Sequence, residues 1–175
     1  QDSVLDVELY DRFYQEQRKR LPLTLREDFC GTFWTCCEWI KSHKNRKAWG
    51  VDLSAEPIDY GMRVRFNNLD ASQKKRIKIL QDDVRSSGVK NVDIVVASNF
   101  SYNIFKKREE LKAYFQTVFD SLGSDGAFIM DHFGGSGNMS PNKEKKKITL
   151  SDGKKIKYYW QQKFFYPATN EALYY

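Results

Sequence analysis

Residues Leu21-Pro22-Leu23-Thr24-Leu25-Arg26-Glu27-Asp28-Phe29-Cys30-Gly31-Thr32 join an apolar, β-prone run to two acids and a turn of small residues. A helix-like segment from Phe33 to Ser42 follows, and a second apolar run, Ala48 to Val51, ends at Asp52. The order of strand, tight turn, helix, strand and terminal acid is the plan of a nucleotide-binding βαβ unit. The sequence therefore predicts the cofactor-binding half of an enzyme.

The rest of the chain continues this alternation of strands and helices. Further strands are predicted at Arg76 to Gln81, Val92 to Ala97 and Ala127 to Met130, and helices at Val4 to Arg20, Ser54 to Leu69 and Glu109 to Leu122. Strict alternation favours an α/β fold with a doubly wound, mostly parallel, Rossmann-like sheet. The nearly continuous β-branched run Val92 to Ala97 is typical of a strand buried on both faces.

The pattern changes beyond Gly134. Gly123 to Gly126 is predicted to end the preceding helix. Asn138 to Lys147 is predicted to be a polar, mobile loop, and Ile148 to Leu150 and Ile156 to Phe165 to be two antiparallel strands joined around Ser151-Asp152-Gly153. We expect one domain over residues 1–175: a helical cap (1–20), a cofactor-binding core (21–135), and a loop with terminal strands (136–175). The chain is expected to be cut before its natural end.

Bulk properties narrow the class of protein. A chain of 175 residues suits one domain with a substantial core. No apolar run approaches the roughly 20 residues of a membrane helix, so no membrane partner is expected. Three cysteines form neither a disulfide framework nor a zinc spacing, which predicts a reducing cytoplasm and no metal site. The net charge of +6 permits an RNA partner without requiring one.

Acids close three consecutive predicted strands. Ligands of open parallel sheets bind beyond the carboxyl ends of the strands. A carboxylate after the second strand commonly accepts both hydroxyls of an adenosine ribose, which fits Asp52; the alternative is a helix cap before Ser54. Asp83 or Asp82, after the third strand, suits an adenine amine; the alternative is a surface turn.

The first turn distinguishes two classes of cofactor. A dinucleotide site needs Gly-x-Gly-x-x-Gly, so that a pyrophosphate can approach the amino end of the helix. This turn has one glycine, Gly31, and is preceded by Glu27 and Asp28, which would repel a pyrophosphate. Two acids suit a ligand that carries an ammonium and a sulfonium. The turn therefore favours S-adenosyl-L-methionine over NAD.

The order of these motifs resembles a class I S-adenosylmethionine-dependent methyltransferase. In that superfamily the first motif usually has the form acid-x-Gly-x-Gly-x-Gly; here Phe29 and Phe33 take the places of its first and last glycines. The closest resemblance is to a little-characterised microbial branch, over residues 21–170. The segments that carry it are Arg26 to Thr32, Gly50 to Leu53, Asn99 to Tyr102, Asp131 to Gly135, Tyr159 to Gln162 and Phe165 to Thr169.

The resemblance implies a set of cofactor contacts. Glu27, Phe29 and Gly31 would surround the methionine moiety, Asp52 would hold the ribose and Leu53 would pack on the adenine. Asp83 and Val84 would recognise the adenine edge, and Asn99 and Phe100 would line the corner beside the methyl donor. Phe29 must either point away from the cofactor or form a wall of its pocket.

A catalytic base is optional, because alignment and exclusion of water supply much of the rate of methyl transfer. If a base is used, His132 and Tyr102 follow the correct strands, with Asp131 as a possible orienter. The alternatives are a hydrogen-bonded strand-end histidine for His132 and a core or pocket-wall position for Tyr102.

The predicted function is methyl transfer to an unidentified acceptor, with a small molecule preferred. The alternatives are an RNA methyltransferase, a non-catalytic protein that binds an adenosyl ligand, and a nicotinamide-dependent oxidoreductase, which the glycine-poor turn disfavours. Asn99-Phe100-Ser101-Tyr102 lacks the prolines of a DNA-base methylation motif. Neither the acceptor atom nor the oligomeric state follows from the sequence.

Overall fold

A computed structural model describes residues 3–150 and 153–175. It consists of two compact units, one that extends to Asp131 and one from His132 to Tyr175. The expectation of a single domain with boundaries at 20 and 135 stays a prediction. Within the described ranges, no helix combines the length and apolar character needed to cross a bilayer.

The first unit is built on a five-stranded parallel sheet in the order β3-β2-β1-β4-β5. Its strands are β1 (Thr24–Asp28), β2 (Lys47–Asp52), β3 (Ile77–Gln81), β4 (Val92–Ala97) and β5 (Leu122–Met130). Its α-helices are α1 (Ser3–Arg18), α2 (Trp34–Ser42), α3 (Ala55–Val64), α4 (Ala71–Lys74) and α5 (Arg108–Ser121). The strand order reverses between β1 and β4, so the predicted doubly wound fold is confirmed.

β4 separates two hydrophobic cores. Ile94 and Val96 point into the cluster formed with α1 and α2, whereas Val95 and Ala97 point into the cluster formed with α5. All four side chains are fully buried. Alternation along a strand buried on both faces explains why this run is apolar at nearly every position.

Two local bounds in the first unit differ from those predicted. The helix α5 ends before Gly123 to Gly126, as expected, but β5 begins at Leu122 and not at Ala127, and it includes these four residues between the paired positions Leu122 and Ala127. A Cβ on Gly126 would come within 3.0 Å of the Val92 carbonyl oxygen, so glycine permits close approach of β5 to β4. The predicted helix to Leu69 ends at Val64 and is followed by a 3₁₀ turn, Phe66–Asn68.

The second unit is a three-stranded antiparallel sheet, ordered β6-β7-β8. Its strands are β6 (Asn142–Thr149), β7 (Lys155–Tyr166) and β8 (Glu171–Tyr174). The predicted terminal strands are thus confirmed, but the loop at Asn138 to Lys147 is wrong, because β6 pairs with β7 over its whole length. Ser151 and Asp152 of the predicted connecting turn lie outside the described residues.

Candidate functional site

The first turn has an unusual backbone for its sequence. Phe29, Gly31 and Phe33 all lie in the left-handed region, with φ of 55°, 52° and 45°. These are the three positions at which the resemblance places glycine. A phenylalanine in this region is strained, by about 1–2 kcal/mol per residue. The turn therefore keeps a glycine-like course although two of its glycines are absent.

Packing of the two phenylalanine rings holds this course. The Phe29 ring contacts the rings of Phe105 and Tyr114, with centroids 6.0 and 5.7 Å away. Phe33 is fully buried and lies against Gly61 of α3. Gly31 differs, since a Cβ there would meet no atom within 4 Å. The turn is thus anchored by its flanking rings and open at its centre.

Asp52 connects the end of β2 to this turn. Its Oδ2 accepts a hydrogen bond of 2.7 Å from the Gly31 backbone N–H, and its Oδ1 accepts one of 2.9 Å from the Ser54 N–H. The side chain therefore holds the residue that precedes α3 and also presents a carboxylate at the sheet edge. Each carboxylate oxygen retains a further acceptor site, which is what a pair of ribose hydroxyls would require.

The residues predicted to contact adenine lie in different environments. Leu53 is 71% exposed beside Asp52. The Asp83 carboxylate is ion-paired with Arg85, at 2.6 Å from its terminal nitrogen, and this hydrogen-bonded pair lowers the pKa of Asp83. Val84 is buried, and its carbonyl oxygen accepts a hydrogen bond from Arg26. Only Leu53 of the three presents an unpaired, accessible surface.

Glu27 is buried beneath the first turn of α2. Its Oε2 accepts a hydrogen bond of 3.0 Å from the Cys36 backbone N–H. Burial raises the pKa of Glu27 to about 7, against the opposing effect of its hydrogen bonds to Cys36 and Thr35. The carboxyl group therefore fixes the amino end of α2 and changes its charge near neutral pH.

Asp28 belongs to a second buried network. Arg26 donates to both of its carboxylate oxygens, at 2.6 and 2.7 Å, and the Tyr114 hydroxyl donates to it at 3.0 Å. Arg26 and Asp28 have fully buried side chains. The expectation that both acids face a cationic ligand is therefore not met, because Asp28 is neutralised in the core and Glu27 is covered by α2.

The corner after β4 is held by Asp131. Asn99 and Phe100 are both left-handed, with φ of 58° and 46°. Their backbone N–H groups donate to the two oxygens of Asp131, at 2.7 and 2.5 Å. The hydroxyls of Tyr10 and Ser98 lie 3.1 Å apart and tie α1 to the same corner. The ends of β4 and β5 and the helix α1 thus meet at one place.

A cavity of about 350 Å³ opens at this place. Its lining residues come from α1 and from the ends of β4 and β5: Asp6, Leu9, Tyr10, Phe13, Ser98, Asn99, Ile129, Met130 and Asp131. Asp6 Oδ2 is buried and has no hydrogen-bond partner among the described residues. The sequence did not single out Asp6 or Tyr10 as site residues; the four-residue spacing of Tyr10 and Tyr14 indicated only a buried helix face.

The candidate base Tyr102 is not among the residues that line this cavity. Tyr102 is buried in the core and packs on Phe115, with ring centroids 6.2 Å apart, and burial raises its pKa. This placement matches the alternative of a core position. His132 is exposed and is the first residue of the second unit. Their catalytic roles stay predictions.

The solved structures with similar folds include methyltransferases. No family model matches this sequence, and no curated protein matches it. The glycopeptide N-methyltransferase MtfA in complex with S-adenosyl-L-methionine aligns with a TM-score of 0.63 at 16% identity, over 99% of this chain and 75% of its own. The plantazolicin methyltransferase BpumL in complex with SAH aligns with a TM-score of 0.58 at 18% identity.

The BpumL alignment covers 73% of this chain, which spans only 45% of that protein. MtfA in complex with sinefungin gives a similar match, with a TM-score of 0.64. Identities below 20% establish a shared fold and nothing finer. The chain has the Rossmann-like sheet of these methyltransferases.

Proposed function

We propose that this protein binds S-adenosyl-L-methionine at the carboxyl ends of β1, β2 and β4 and transfers its methyl group to a small-molecule acceptor. The observation that carries the proposal is the hydrogen bond from the Gly31 N–H to Asp52. It couples a glycine-poor, left-handed turn to a carboxylate with spare acceptor sites. Neighbours of this fold that hold S-adenosyl-L-methionine, SAH or sinefungin support the same cofactor.

The site residues divide between the two ends of the cofactor. Asp52 would accept the ribose hydroxyls, and the exposed Leu53 would pack on the adenine. The open centre of the turn at Gly31 leaves room for the methionine moiety, with Phe29 and Glu27 supporting the turn from below. Asp83 would need to exchange Arg85 for the adenine amine, and Val84 would contribute packing.

The acceptor would enter the cavity between α1 and the ends of β4 and β5, where Asn99 and Phe100 form the corner. A volume of about 350 Å³ falls in the range of small-molecule pockets. The bound cofactor supplies a methyl group on a sulfonium. A lone pair of the acceptor would form the new bond to the methyl carbon as the carbon–sulfur bond breaks, which would leave SAH. The chain's own contribution is alignment and exclusion of water.

Two further predictions accompany this function. The buried thiols of Cys30, Cys36 and Cys37 form no disulfide, which supports the reducing cytoplasm as the location. One neighbour is named a glycopeptide N-methyltransferase and another a plantazolicin methyltransferase. We therefore include modified peptides, besides small molecules, among the proposed acceptors. An RNA acceptor and a non-catalytic binding role remain the alternatives.

Calorimetry with S-adenosylhomocysteine tests the proposal. The wild type is expected to bind, and Asp52→Asn is expected to bind at least tenfold more weakly, because one oxygen becomes an amide donor. Asp59→Asn, at an exposed position of α3 that has no role in the proposed site, is the matched control and should bind as the wild type does. Undetectable binding by the folded wild type would overturn the cofactor assignment, whereas equal affinity of wild type and Asp52→Asn would remove only the ribose role.

A further inference from the structure

The antiparallel sheet of the second unit has two chemically different faces. In β6, the side chains of Lys143, Lys145 and Lys147 project to one side, because successive side chains of a strand alternate. Their direct partners in β7 are Gln161, Tyr159 and Lys157. Lys155, opposite Thr149, lies on the same side. We call the side that carries Lys143, Lys145, Lys147, Lys155 and Lys157 the basic face.

The opposite side of the sheet, which we call the packed side, is packed around Trp160 and Gln162, whereas Ile148, Ile156 and Tyr158 on the same side are exposed. There the Trp160 ring stacks on the Tyr174 ring, with centroids 5.5 Å apart, and both contact Phe133. The buried Gln162 donates a hydrogen bond to the Asn138 carbonyl oxygen. The sheet is therefore stabilised from this side, whereas all five lysines of the basic face are exposed.

The charges on the basic face are not balanced by the strands that carry them. Lys147 and Lys157 are direct cross-strand partners, an arrangement of like charges that destabilises a sheet. β6 and β7 place no acidic side chain on this face; Glu144, their one acid, lies on the packed side, where it pairs with Lys146 at 3.1 Å. Glu171 of β8 stands at the far end and accepts a hydrogen bond from Thr169. An anionic ligand would remove the repulsion.

Aromatic rings continue the basic face toward β8. Tyr159 lies between the lysines, with the Lys145 ammonium 5.6 Å from its ring centroid. Phe164 and Tyr166 stack with centroids 6.2 Å apart, and the Lys163 ammonium lies 4.8 Å from the centroid of Tyr175. The rings of Tyr159, Phe164, Tyr166 and Tyr175 are each about half exposed or more.

We infer that the basic face binds single-stranded nucleic acid. Phosphates would lie along the lysines, which recur every second residue, about 6.6 Å apart along the strand. Unpaired bases would stack on the neighbouring rings, the combination that single-strand-binding surfaces use. A duplex keeps its bases stacked inside and would leave these rings without a role. The inference concerns binding alone and does not depend on the methyl transfer proposed above.

Fluorescence anisotropy with a labelled 12-nucleotide oligouridine, without any adenosyl ligand, tests the inference. Lys147→Gln/Lys157→Gln is expected to weaken binding at least tenfold at low salt. Loss of two phosphate contacts should also make the logarithm of the association constant fall less steeply with the logarithm of the salt concentration, by about 1.4 in slope. Lys44→Gln/Lys112→Gln removes the same net charge from exposed positions of the first unit and should change the affinity less than twofold.

A second pair of variants separates stacking from charge. Tyr159→Ala, on the basic face, should weaken oligouridine binding about fivefold or more, whereas its neighbour Tyr158→Ala, on the packed side, should not. Circular dichroism confirms that each variant keeps its sheet. Equal losses in the two charge variants, or in the two tyrosine variants, would overturn the inference. The basic face would instead bind membranes if the protein preferred phosphatidylserine vesicles to oligouridine and the Lys147→Gln/Lys157→Gln variant lost this vesicle binding. That result would also overturn the inference.

Discussion

The ring of Phe33 occupies the space that a side chain on Gly61 would need. A Cβ on Gly61 would lie 2.4 Å from Phe33 Cε1 and 2.6 Å from the Thr32 carbonyl oxygen. Phe33 stands where the resemblance places a glycine, and Gly61 lies in the middle of α3, where glycine is unfavourable. The missing glycine of the turn is thus compensated by a glycine in the helix that covers it.

Gly61→Ala should therefore destabilise the protein by about 1–3 kcal/mol, in spite of the better helix propensity of alanine, because the added methyl overpacks the contact. Urea unfolding measures the change. Gly137→Ala, where a Cβ would meet no atom within 4 Å, is the control and should stay close to the wild type. A Gly61→Ala protein as stable as this control would contradict the packing described.

Phe29 offers a direct measurement of backbone strain in the first turn. Both Phe29→Ala and Phe29→Gly remove the ring from its contacts with Phe105 and Tyr114. Because φ at this position is 55°, the glycine variant should be the more stable of the two by about 1 kcal/mol. In an ordinary strand or helix the order is reversed. Thermal unfolding of the two variants side by side gives the difference.

Glu27 should make stability depend on pH. Its pKa is raised from 4.5 to about 7, so between these values the folded state binds more protons than the unfolded state, and stability falls as the pH rises. The loss amounts to about 3 kcal/mol by pH 8.

Glu27→Gln keeps an acceptor for the Cys36 N–H and cannot ionise. Relative to the wild type, it should therefore gain stability between pH 5 and pH 8. Urea unfolding at both pH values measures this gain, and a constant difference would show that the group does not titrate in this range.

The buried pair of Arg26 and Asp28 should be sensitive to loss of one partner. Arg26→Met leaves the Asp28 carboxylate unpaired in the core and should cost about 3–5 kcal/mol. Arg85→Met breaks the pair with Asp83, whose side chains are 39% and 32% exposed, and should leave the unfolding midpoint close to that of the wild type. Denaturant titration compares the two, and similar losses would argue against burial as the cause.

Leu53 should matter for ligand binding and not for folding. Leu53→Ser exposes no core, because the side chain is already 71% exposed, so the melting temperature should not change. If the leucine covers the adenine, its loss should weaken S-adenosylhomocysteine binding about tenfold. Leu150→Ser, an exposed leucine in the second unit, is the control for calorimetry. Equal binding by both variants would remove the adenine contact.

The sequence alone determined the parts of the fold that depend on local pattern. β4 has the predicted bounds, and β2 contains the predicted apolar run Ala48 to Val51 and ends at Asp52, since a short apolar run with clear ends on both sides is sufficient to define a buried strand. The parallel order of the sheet followed from the alternation of elements. The position of Asp52 at the sheet edge followed from the end of β2.

Long-range packing decided the rest. Gly123 to Gly126 has the composition of a turn, yet it lies inside β5, between Leu122 and Ala127, which both pair with β4, and Gly126 allows the strands to approach. The lysine-rich sequence of β6 predicts a loop, and only its pairing with β7, which aligns every residue from Asn142 to Thr149 with a partner, makes it a strand. Contacts between residues far apart in the chain bury Glu27 and Asp28 on opposite sides of β1. Such contacts also form the cavity between α1 and the ends of β4 and β5. Local propensity carries no information on such contacts, and only the tertiary structure specifies them.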